Sequence, residues 1–265
     1  MPDHGPLKIV DTHCHLDWPG FDAGRSRLLD DARQVGVAGW VLPGVSPDHW
    51  TEIERLAREH PGCFQAPGVH PQHAGEWDRA ARMELERRLR ARQCVAVGEI
   101  GLDRAIDVDM EYQKRAFADQ LAMAAQFGLP VLLHVRRAHR QAVEMVLAAG
   151  PPKVVWHCYS GSAELVRQVH GLDHYFSFSG VITYPAARKF EPVFAAVPLD
   201  RLLIETDAPD LAPHPHRGET CLPAHIGLTL RRMAGLTGLA IADLAARLYD
   251  NTRRALGKDF DHAPA

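Results

Sequence analysis

The chain has 265 residues, 46% of them hydrophobic and 24% charged, which is the balance of a globular protein with a sizeable core and excludes a disordered or fibrous chain. A formal net charge of −3 excludes a protein that coats long duplexes through bulk electrostatics, so any nucleic-acid contact must be local. Five cysteines without a C-x-x-C pair point to reduced thiols and a cytoplasmic location, and no apolar run is long enough to span a bilayer.

Eight short apolar, β-rich runs follow one another along the chain. LKIVDTHCH (7–15) opens the series, and VAGWVLPG (37–44) is followed by a helical pattern at 46–62. FQAPGVHP (64–71) precedes a helix over 77–93, and CVAVGEIGLD (94–103) precedes one over 111–128. In that helix Phe117, Leu121, Ala124 and Ala125 share a face, and Gly128 stands where a helix stops. PVLLHVRR (130–137) leads into a helix over 139–150; KVVWHCYSG (153–161), YFSFSG (175–180) and RLLIETDAP (201–209) complete the strands. Helical patterns resume at 222–235 and 241–257. Parallel strands need long crossovers, and eight strand–helix units suit a closed TIM (β/α)8 barrel better than the runner-up, an open doubly wound sheet. No linker-like composition divides the chain, so residues 1–265 are expected to form a single domain.

Active sites of such barrels form at the C-terminal ends of the strands. There the sequence places His13 and His15, His70, Glu99 and Asp103, His134 and Arg136, His157, and Glu205 and Asp207. Alternation along the first strand puts Asp11, His13 and His15 on one face, with Cys14 on the other; Cys158 is likewise expected behind the barrel wall. Any one of these residues has an ordinary structural use, such as a capped turn at His70 or a surface carboxylate at Glu205. Six strands placing N or O donors at one rim is better explained by a metal site. Imidazoles mixed with carboxylates, and no thiolate aimed at the site, suit Zn²⁺, Mn²⁺, Fe²⁺ or Mg²⁺. Four histidines and two acids exceed one tetrahedral set, so two divalent ions are expected, with Glu99 as their bridge. The basic pairs Arg87-Arg88 and Arg231-Arg232 fall in helical patterns and read as solvated faces, whereas Arg136 points at the site.

DTHCHLD (11–17), GVHP (68–71), GEIGLD (98–103), PVLLHVRRA (130–138), HCYSGS (157–162), FSFSG (176–180) and ETDAPDL (205–211) resemble, in order, the signature segments of the TatD family of metal-dependent deoxyribonucleases. The resemblance implies an amidohydrolase-type barrel in which His13, His15, Glu99 and Asp207 hold one ion, and Glu99, His134 and His157 the other. It also implies that His70, Arg136 and Glu205 bind or polarise the substrate. The chain departs from the family pattern at Asp210, where many members have Tyr, at Cys221, where asparagine is usual, and at Arg104-Ala105-Ile106, which lacks an aromatic residue. All three are expected on rim loops and bear on substrate identity.

The expected reaction is phosphodiester hydrolysis at single-stranded DNA ends or short oligonucleotides. Asp207, with Glu205 next in line, would take the proton of a metal-activated water, and His70 would serve the leaving oxygen. Two other readings keep the same residues. One is hydrolysis of a lactone, cyclic amide or phosphotriester, and the other a metal-stabilised binding protein without turnover, which would be expected to lack a base or a ligand. No membrane and no obligate protein partner are expected.

Overall fold

The computed structural model describes residues 7–260. Its eight strands are β1 (Ile9–Asp11), β2 (Val37–Pro43), β3 (Cys63–Ala66), β4 (Val97–Asp103), β5 (Val131–Arg136), β6 (Val154–Trp156), β7 (His174–Phe178) and β8 (Leu202–Ile204). All pair in parallel and in chain order, as β1-β2-β3 and as β4 through β8. Backbone hydrogen bonds from Val95 N to Gln65 O (3.0 Å) and Gly98 N to Pro67 O (3.1 Å) join the two groups. A bond from Thr12 N to Ile204 O (3.2 Å) links the first strand to the last, so the sheet closes into the expected TIM (β/α)8 barrel.

The helices are α1 (Arg25–Gln34), α2 (Trp50–Glu59), α3 (Arg79–Arg90), α4 (Met110–Phe127), α5 (His139–Ala149), α6 (Ala163–Gln168), α7 (Glu191–Ala196), α8 (Ile226–Thr237) and α9 (Ile241–Leu256). Six were expected; α1, α6 and α7 were not. The longest, α4, buries Phe117, Leu121 and Ala124 and stops at Gly128, whose φ of 66° is open to glycine at little cost. Arg88, expected on a solvated face, is instead buried, with Nη1 on the Glu54 carboxylate at 2.6 Å and on Trp50 O at 3.0 Å.

Strand alternation splits the apolar side chains into two cores. Val10, Val41, Phe64, Ala66, Leu132, Val155, Tyr175 and Leu203 fill the barrel, while Ile9, Trp40, Leu133, Trp156, Phe176 and Ile204 pack outward beneath the helices. The base of the barrel is closed by Tyr249 and Leu256 of α9 and by Phe260, whose ring meets Phe64 edge to face at 4.8 Å.

The same alternation sets the upper layer. Counting two residues on from the inward Leu132 gives His134 and then Arg136; from Val155, His157; from Leu203, Glu205, whereas Asp207, with a φ of 61°, is placed by the segment after β8. On β4 the count fails, because Val97 faces outward. A register irregularity between Val97 and Ile100 turns Glu99 inward, which is the ordinary service of a bulge. Gly101 makes the next contact feasible: a Cβ there would lie 1.9 Å from the His134 carbonyl oxygen.

Candidate metal centre

Five imidazoles and four carboxylates meet at the top of the barrel, and Glu99 lies at their middle, 4% exposed. Its two oxygens face different partners. Oε2 is 3.4 Å from His13 Nε2 and 3.7 Å from His15 Nε2, and both nitrogens lie 3.7 Å from Asp207 Oδ1. Oε1 is 2.8 Å from His134 Nδ1, 3.1 Å from His157 Nε2 and 3.7 Å from His70 Nε2.

The far nitrogens of two of these rings face acids. His134 Nε2 lies 3.0 Å from Asp103 Oδ2, a hydrogen bond, whereas His157 Nδ1 lies 3.3 Å from Glu205 Oε1, an ion-pair distance without a hydrogen bond. A carboxylate behind an imidazole fixes the ring and its tautomer and leaves the opposite nitrogen as a donor atom for a metal. Glu205 is 0% exposed and also accepts the backbone N–H of Cys158 at 2.6 Å. It therefore stands behind His157 and not among the groups facing the cleft, where catalysis was expected of it.

His70 is different. Its Nδ1 accepts the N–H of Gln72 at 3.0 Å, so Nε2 carries the proton and points a donor toward Glu99. That tautomer suits a hydrogen-bond donor to substrate and not a ligand.

His13 and His15 converge as expected, although β1 ends at Asp11 and strand geometry does not carry them there. Asp11 does not join them. Fully buried, it accepts from Thr206 N (2.9 Å) and Thr206 Oγ1 (2.5 Å), and so laces β1 to the segment after β8; burial pushes its carboxyl up to about 7. Cys14 is buried as expected, but Cys158 is not behind the wall. It lines the cleft with a φ of 40°, its Sγ 3.2 Å from Ser179 Oγ. Cys221, expected to shape the rim, is 0% exposed, whereas Asp210 does line the cleft.

The donors fit a cation. Ion–ligand distances of about 2.0–2.2 Å put neighbouring tetrahedral ligands roughly 3.3–3.6 Å apart; the donors of His13, His15, Glu99 and Asp207 stand 3.4–3.7 Å apart, close to that spacing and slightly wider. Both ring nitrogens of His13 are buried without a hydrogen-bond partner, an arrangement that is costly unless something else satisfies them. Burial drives His13 down to about 4 and His70 down to about 3, so both rings are neutral. Burial would raise Glu99, but it lies well below the usual carboxylate range, because at the acid pH where it would take a proton His70, His13 and His157 have become cationic around it. Asp207 is raised well above that range by burial, with Glu205 and Glu99 adding to the effect against the pull of His157. A carboxylate so placed keeps its proton unless a cation replaces it.

Two residues of α4, unnoticed in the sequence, support this layer. Gln113 accepts from Asp103 N (2.8 Å) and donates to Asp103 O (3.0 Å); Gln120 accepts from Val69 N (2.7 Å) and donates to Val69 O (3.2 Å). Each amide pairs with a backbone as a neighbouring strand would, fixing Asp103 behind His134 and the chain that leads into His70. The signal was two glutamines seven apart on the buried face of an apolar helix, which a surface role does not explain.

Comparison with known proteins gives a consistent result. Residues 10–257 match the TatD related DNase family. The uncharacterized metal-dependent hydrolase YabD of Bacillus subtilis is 31% identical over 252 residues, covering 93% of this chain and 98% of its own. The 3'-5' ssDNA/RNA exonuclease TatD of Erwinia tasmaniensis is 34% identical over 259 residues, covering 93% and 98%. The crystal structure of YjjV, a TatD homolog from Escherichia coli K12, superposes with a TM-score of 0.90 at 31% identity, covering 95% of this chain and 98% of that one.

Proposed function

Starting from the fact that this chain belongs to the TatD-related DNase family of metal-dependent hydrolases, we propose that it removes nucleotides from the ends of single-stranded nucleic acid, using two divalent ions. The observation that carries this reading is the division of Glu99, one oxygen toward His13, His15 and Asp207, the other toward His134 and His157. On this reading His13, His15, Glu99 and Asp207 would hold one ion, and Glu99, His134 and His157 the other. Such a pair lowers the pKa of water and offsets the charge that develops on a phosphate.

The chain's own groups do the remaining work. Asp207, which would be anionic with the cation bound, is the group placed to take a proton from the attacking water. His70 presents its Nε2–H to a phosphate or leaving oxygen, and Arg136, exposed at the cleft, pairs with a phosphate. Glu205 and Asp103 act one step back, by holding His157 and His134 in register. Among the described residues that line the cleft of ≈ 1160 Å³, Arg136 is the only lysine or arginine, against the carboxylates of Asp17, Glu99, Asp207, Asp210 and Glu219. One fixed cation suits a chain end, which offers few phosphates, and not a long duplex.

The test is cleavage of end-labelled single-stranded DNA by the purified protein, with chelator and with each of Zn²⁺, Mn²⁺, Mg²⁺ and Fe²⁺ restored. Asp207→Asn is expected to lose ~10²–10⁴ in single-turnover rate while metal content and binding persist. Near wild-type cleavage by a fully loaded Asp207→Asn would place the base elsewhere. A wild type that leaves DNA and RNA ends intact with every ion, yet opens a lactone or phosphotriester, overturns the nuclease reading.

A further inference from the structure

Trp18 stands apart from the other tryptophans. Trp40, Trp50, Trp77 and Trp156 are 0–3% exposed, whereas Trp18 leaves 39% of its surface open and lines the cleft beside His15 and Asp207. Its position is built. Trp18 N donates to His15 O at 3.1 Å, and Phe21 N donates to Trp18 O at 2.9 Å. The indole rests edge to face on Phe21 at 5.0 Å and 86°, and it lies so close over Gly20 that a Cβ there would be 2.2 Å from the ring. Buried Arg25 ties down the same segment, donating from Nε to Leu16 O at 2.7 Å and from Nη2 to Asp22 at 2.5 Å. A large apolar ring is thus fixed at the mouth of a polar site, where it forgoes the burial that the other four obtain.

The charge around it shows what the ring could contribute. With Arg136 as the only fixed cation on the described lining, the cleft has little hold on phosphates beyond the one being cleaved. Stacking of the base would add a hold that the single cation of the described lining does not supply. Every base has a π face, and stacking on an aromatic side chain is indifferent to sequence. We propose that Trp18 is the base-stacking platform of this site: the base of the nucleotide whose phosphodiester lies at Glu99 stacks on the indole, so that ends carrying a base are preferred to ends without one. This rests on the nuclease reading above, and the experiment separates the two.

Trp18→Ala and Trp18→Phe are assayed on single-stranded oligonucleotides whose terminal nucleotide is either intact or abasic. Wild type is expected to prefer the intact end. Trp18→Ala is expected to shrink that preference, as the ratio of kcat/KM values, roughly five- to a hundredfold, and Trp18→Phe to restore most of it. In parallel, intrinsic fluorescence is titrated with thymidine 5'-phosphate and with deoxyribose 5-phosphate. The nucleotide alone is expected to quench wild type, and the quench is expected to vanish in Trp18→Phe. Equal losses on both kinds of end would make Trp18 a structural residue and overturn the inference, as would a quench that persists in Trp18→Phe. If wild type cleaves neither oligonucleotide while the nucleotide still quenches Trp18 specifically, the nuclease reading fails and the stacking site stands.

Discussion

Single side chains in this barrel answer to their own neighbours, and His174 is an example far simpler than the proposed metal ligands. Buried at the start of β7, it accepts the Trp156 indole N–H on Nδ1 at 3.1 Å. Burial pushes it down to about 4, with Asp173 opposing weakly, so the folded protein holds it neutral. An unfolded chain protonates it near its ordinary value of ~6.5. The unfolded state therefore binds the extra proton between those two values, and stability that is complete above the higher one is lost as pH falls toward the lower. The displacement corresponds to about 3 kcal/mol at most. His174→Gln keeps an acceptor for Trp156 and cannot titrate. In urea unfolding of chelator-treated protein, wild type is expected to lose more stability than His174→Gln between pH ~7.5 and ~4.5. Equal losses would mean that the fold leaves the ring's affinity for a proton unchanged, against the burial argument.

At the level of elements, α4 is a support for the site. Replacing Gln120 with leucine leaves Val69 N and O buried without partners, at about 1–3 kcal/mol for each group. Gln120→Leu is expected to lower stability by about 2 kcal/mol or more and to weaken catalysis through His70, with Glu99-dependent metal content retained. Melting curves and metal analysis of the same preparation check it; loss of metal in place of a shift in His70 would contradict it. Apolar periodicity marks Gln113 and Gln120 as lying on the buried face but does not say which backbone groups they meet. The strands were more legible: each is a short apolar run, six of the eight end in ionisable residues, and two-residue spacing from Leu132, Val155 and Leu203 leads directly to His134, His157 and Glu205. Glu99 escapes that spacing through the β4 irregularity, and His13 and His15 lie beyond the end of β1, so their convergence could be expected only from residue type and motif. Helix α1 was missed because its sequence, RSRLLDDARQ, buries only Arg25, Leu29 and Ala32. Helices α6 and α7 have six residues each, too few for a period to register.

The molecule as a whole couples its site to its stability, since ligands for the proposed ions come from β1, β4, β5, β6 and β8 or the segments just after them. Ions that bind only the folded chain stabilise it by about 2.7 kcal/mol at a hundredfold excess over Kd. For a chain of this size, that is roughly 5–10 °C in Tm. Chelator is expected to lower Tm by that amount near neutrality and by progressively less on acidification. The sign follows from His13: its ring, neutral in the fold, must stay neutral to ligate, so protons compete with metal as pH falls. Scanning calorimetry with and without chelator across pH decides it; a chelator effect that does not shrink in acid counts against imidazole ligation. Closure of the barrel carries a further consequence, for a chain emerging residue by residue from a ribosome. β1 and the residues just after it meet their second neighbour in the segment from Ile204 to Ala208, and Phe260 comes to rest on Phe64 later still. For most of synthesis, then, the first strand has one open edge and the barrel an open floor, and a nascent chain must keep both from other chains until nearly its last described residue has been made.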